Sequence, residues 1–158
     1  MNAPGPGTCL ALNPEEAHAV AAAAAGYAAA LPPERAAPYR ALADSAATGQ
    51  IPADLAGVLE QVAAVSLQSG QARKAGRAEA ERLLTAVYRR TPAGQEAAAQ
   101  VEAVNRALGA LLGRELDSAR VTSPSPGQHT LSLGVRGGIT VTLTVSLAGV
   151  TVTSVQAG

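Results

Sequence analysis

Phenylalanine and tryptophan are absent from this 158-residue chain, and tyrosine occurs only at Tyr27, Tyr39 and Tyr88. That scarcity argues against an aromatic base-stacking platform and against a cofactor pocket walled by rings. One cysteine, Cys9, forbids an internal disulfide and with it a stapled secreted scaffold. Two histidines, His18 and His129, lie far from each other and from Cys9, so no metal-ligand spacing is present and no metal is expected. Twelve basic and twelve acidic residues cancel, which removes the simplest case for attraction of the whole chain to nucleic acid or to an anionic membrane.

Long hydrophobic runs are missing as well. The stretch from Ala17 to Leu31 is mostly alanine, opens on Glu15 and Glu16, and closes on Pro32 and Pro33, so it is not expected to span a membrane. Residues 1–14 lack a basic segment followed by an apolar one, the pattern of a signal peptide. The expectation is a cytoplasmic protein without a membrane partner. No glycine-rich phosphate loop occurs: residues 134–138 match neither nucleotide-binding pattern and lie between strands rather than before a helix. No cofactor is expected, and no nucleophile–base–acid set stands out, so no catalytic residue is assigned.

What the chain does have is alanine, 37 residues against 33 leucines, valines and isoleucines together. Its core is therefore built largely from side chains that bury little area each. Arginine outnumbers lysine eleven to one, a bias that reads as the imprint of a GC-rich genome.

The pattern predicts an α+β chain in three parts: a loose arm over residues 1–12, a helical bundle over 13–117 and an antiparallel β-meander over 118–158. The bundle should hold about five helices. Asn13-Pro14-Glu15-Glu16 combines a capping side chain, a proline suited to the first turn and two acids at the positive end of the helix dipole. A second helix is expected over 38–48 and a third from Pro52, with Leu55, Val58, Leu59, Val62 and Val65 as its stripe. A fourth runs over 71–90. A fifth opens at Thr91-Pro92, with Ala97, Val101, Val104, Leu108, Leu111 and Leu112 facing inward.

Beyond residue 117 the apolar period changes from helical to two. Strands are expected over 128–135, 139–147 and 150–156, with a shorter one over 119–123. A three-residue turn at 136–138 sets Val135 opposite Ile139, Leu133 opposite Val141 and Leu131 opposite Leu143. A two-residue turn at 148–149 would set Leu147 opposite Val150 and Val145 opposite Val152. Each large aliphatic then shares one face, and Thr130, Ser132, Thr140, Thr142, Thr144, Ser146, Thr151 and Thr153 share the other. A slip by one residue would invert a strand. That threonine array could also meet a repetitive ordered surface, although polar β-branched residues are what a solvent face commonly uses. The aliphatic face needs a cover, either the chain's own helices or a second subunit. Residues 139–156 contain no charge and no proline, a pairing hazard if their edge is open.

Three functional readings follow. The leading one is a non-catalytic interaction or assembly protein, a homodimer in its simplest form, in contact through the sheet around Leu143, Val145, Val150 and Val152. The alternative is a nucleic-acid or polyanion module on the fourth helix, where residues 71–90 carry six basic side chains, among them Arg73, Lys74, Arg77 and Arg82, against two acids. A second alternative is a ligand or substrate pocket near His129, which stands level with Val145, since histidine as a residue type is suited to proton-sensitive or ligand-touching roles.

Overall fold

The computed structural model describes residues 9–68, 78–146 and 149–157. The chain is α+β: five helices among the described residues precede a four-stranded antiparallel sheet, and a small two-stranded sheet accompanies the helices. Two compact units divide it, Met1–Gln95 and Glu96–Gly158. No helix among the described residues is long and apolar enough to cross a membrane.

In the first unit, α1 (Pro14–Ala29) begins as expected. The Glu16 amide donates to Asn13 Oδ1 at 2.8 Å and the Asn13 amide donates to Glu16 Oε2 at 3.0 Å, a reciprocal cap. The same carboxylate accepts from Arg90 at 2.7 Å, while Arg90 also donates to the Ala11 carbonyl at 3.0 Å. Glu16 is buried, and these donors keep its charge from standing alone. Two short strands, β1 (Leu10–Ala11) and β2 (Gln50–Ile51), pair antiparallel beside this point.

Helix α2 (Pro33–Ala47) starts five residues earlier than expected, with Pro38 inside it. Pro33 occupies the start, where a missing N–H costs nothing. Pro38 leaves one carbonyl of the preceding turn without its helical donor and still does not end the helix. A 3-10 turn (Ala53–Leu55) leads into α3 (Ala56–Gln68), and α4 (Ala78–Tyr88) follows; the expected start of that helix at 71–77 lies outside the described residues. Val20, Leu42, Ile51, Leu59, Val62 and Val87 form the centre of this unit. Tyr27 and Tyr39 pack with 4.6 Å between ring centres and their planes tilted by 51°, and the Tyr39 hydroxyl donates to Gln61 at 3.0 Å.

Helix α5 (Pro92–Gly109) is anchored at its start by buried Thr91. That hydroxyl donates to the Tyr88 carbonyl at 2.8 Å and accepts the Gly94 amide at 3.2 Å. The Ala93 amide donates to Glu60 at 2.9 Å, so a carboxylate from α3 completes the helix start. A Cβ at Gly94 would land on the Tyr88 carbonyl, so only glycine fits there.

The second unit holds the sheet, ordered β3 (Leu116–Ser125), β4 (Gln128–Val135), β5 (Ile139–Ser146) and β6 (Gly149–Ala157). Strand β3 is twice the length expected. Its turn into β4 is Pro126-Gly127, with Gly127 at φ +75°, a value suited to the third position of a type II turn. The β4–β5 pairing matches expectation: Val135 opposite Ile139, Leu133 opposite Val141, Leu131 opposite Leu143. Gly137 and Gly138, at φ +107° and +83°, make that turn.

Pairing of β5 with β6 differs from expectation by two residues. Val145 lies opposite Val150 and Leu143 opposite Val152. An even slip leaves each side chain on its expected face. A bulge at Thr153 then adds one residue to β6, so that Val155 comes opposite Val141 and joins the aliphatic face.

Candidate functional site

The aliphatic face of the sheet is built by parity, and its cover comes from the C-terminal part of α5. Val104 of that helix packs with Val141 and Leu143, flanked by Leu108, Leu111, Val150 and Val152. One helix is about 10 Å wide, whereas four strands span about 19 Å, so a single helix cannot roof the whole sheet. The residues left over are specific. Leu116 lies opposite Val135 and Val121 opposite Leu131, both on the aliphatic side of β3, yet they are 55% and 66% exposed; Val155 on β6 is 52% exposed. Val101, Leu112 and Ala97, expected to face inward, are exposed. A 3.6-residue stripe records which side of α5 is apolar, not how far along the helix the sheet reaches.

Of the four sheet residues singled out from sequence, Leu143 is buried, and Val145, Val150 and Val152 are half-buried. Leu143 thus belongs to the interior under α5, and Val150 and Val152 combine a packed side with partial exposure on the outermost strand. The exposed Leu116 and Val121 did not stand out in sequence, since β3 was expected to be short and Leu116 lay outside it.

The opposite face carries the hydroxyls. Thr144 and Thr153 hydrogen-bond to each other at 2.7 Å and Ser132 meets Thr142 at 3.5 Å. The bulge that sets Thr153 beside Thr144 breaks the regular spacing of that array at β6.

Two other candidates were placed by the sequence. On α4, Arg82 donates through Nε to Glu79 at 3.0 Å, so its charge is matched one turn away. That hydrogen bond holds the exposed Glu79 carboxyl below its ordinary range and the guanidinium above its own. A shallow depression bounded by Glu81, Arg82, Thr85 and Arg89 runs along the same helix. Arg73, Lys74 and Arg77 lie outside the described residues. His129 stands opposite Val145, as expected, and is exposed at the end of the sheet. Its Nδ1 lies 2.6 Å from Ser123 Oγ across the β3–β4 ladder. Cys9 is exposed, and no group of three His, Cys, Asp or Glu side chains among the described residues could hold a metal ion.

These features define an α+β chain with a half-roofed antiparallel sheet. No protein-family model, curated protein or solved structure matches it.

Proposed function

We propose that this is a small cytosolic, non-catalytic interaction or assembly protein that associates with itself through its C-terminal sheet. The observation that supports this reading most is the uncovered part of the aliphatic face. Leu116, Val121 and Val155 stay more than half exposed on the side of the sheet that α5 covers elsewhere. Leu116 and Val121 lie on β3 and Val155 on β6, the two opposite edge strands, so apolar side chains of one face are left uncovered at both margins of the sheet, where a second chain could cover them. The basic-helix reading is weaker, because Arg82 is already paired with Glu79.

Sedimentation equilibrium of the full chain tests the proposal. A dimer at micromolar concentration, with an apparent mass that falls on dilution, is the expected result. A monomer across that range overturns it.

A further inference from the structure

The two open edges of the C-terminal sheet are unlike, and the difference bears on how two copies would join. Edge strand β3 carries three features that discourage an added strand: Pro124, which has no N–H to donate, the charges of Asp117 and Arg120, and two register irregularities. Edge strand β6 has neither a charge nor a proline in nine residues. Its single irregularity, at Thr153, leaves regular pairing with β5 on both sides. The outer backbone groups of β6 meet no other described strand, and such groups take either water or another strand as partner.

Symmetry says which strand suits that edge. Antiparallel pairing of β6 with its own copy needs a two-fold axis normal to the sheet, and two-fold dimers are the commonest assemblies of identical chains. Around such an axis a strand meets itself, so a charge near the centre would face a like charge. β6 satisfies this condition by having none. Rotation about the sheet normal does not exchange the faces, so residues that oppose each other must share a face. Within residues 149–152 valine then opposes valine, and threonine opposes threonine or glycine. Both aliphatic faces end on one side of the joined sheet, with half-exposed Val155 at the edge being sealed. Resting on the self-association proposed above, we infer that β6 pairs antiparallel with β6 of a second copy, making one eight-stranded sheet.

The test uses the full chain at low ionic strength, where exposed like charges repel most. Thr151→Lys and Gln156→Lys place a charge on exposed positions at either end of β6, and Thr122→Lys does the same on β3. Far-UV circular dichroism checks that each variant folds as the wild type does. The expected result is a dimer dissociation constant at least tenfold weaker for one or both β6 variants and unchanged for Thr122→Lys. For the more affected β6 position, mixing its Lys variant with the matching Glu variant should restore a heterodimer. A dimer indifferent to both β6 charges, or equally weakened by the β3 charge, overturns edge pairing and leaves self-association through another surface. A monomeric wild type overturns both.

Discussion

Gly94 and Gly26 bring opposite consequences to the same substitution. A methyl group at Gly94 collides with the Tyr88 backbone, which cannot step aside as a flexible side chain would. Gly94→Ala should lower stability by about 2–3 kcal/mol. Gly26 is exposed in the interior of α1 with open space around its Cβ direction, so Gly26→Ala should raise stability by about 0.5–1 kcal/mol. Urea denaturation followed by far-UV circular dichroism reads both, and equal effects would refute the backbone argument. Glu79 offers a pH test. Its folded pKa lies below its unfolded one because Arg82 hydrogen-bonds the carboxylate. The stabilisation is therefore complete above the ordinary carboxylate range and disappears as pH falls through the lowered value. Carboxyl carbon NMR should find Glu79 titrating lower than a free glutamate, and Arg82→Gln should return it to the ordinary range. At this scale the sequence was informative where chemistry is local: Asn13 announced itself as the cap of α1, and the structure adds the return bond from the Asn13 amide to Glu16. Arg90, which closes on Glu16 from 74 residues away, carries no local signal, and neither does the approach of Glu60 to α5.

At the scale of elements, face and register part company. Side-chain parity was legible throughout β4, β5 and the start of β6, because alternation of valine and threonine leaves one workable face. The offset between β5 and β6 was not, since a two-residue slide preserves that parity and only the turn decides it. Nor could the bulge at Thr153 be read, although Val155 falls out of phase with Val150 and Val152 and in hindsight marks it. Helix α2 hid its start because Pro38 resembles a first-turn proline. The cover on the sheet gives this scale its prediction. Leu143 is buried under α5 and Val121 is exposed on β3. Leu143→Ala should cost about 2–4 kcal/mol, whereas Val121→Ala should change monomer stability by less than about 0.5 kcal/mol. Measuring both at concentrations below any dimer dissociation constant separates packing from association. A large loss for Val121→Ala in the monomer would mean that this side chain is covered within its own chain.

For the whole molecule, the sequence disclosed a helical part and a strand part, and the α+β order followed from where the apolar period changed. It did not disclose that the division between the compact units falls within α5, so that most of the last helix belongs with the sheet it covers. The candidate surface was half legible: the uncharged, proline-free run of the last strands was visible, and the exposed row on β3 was not. All three tyrosines fall within the first unit, and tryptophan is absent from the chain. Near-ultraviolet spectroscopy of the natural protein therefore carries no intrinsic chromophore in the strands. The region proposed for assembly is optically dark, and a single tryptophan introduced at exposed Val155 on β6 would illuminate it against a background free of competing indole emission.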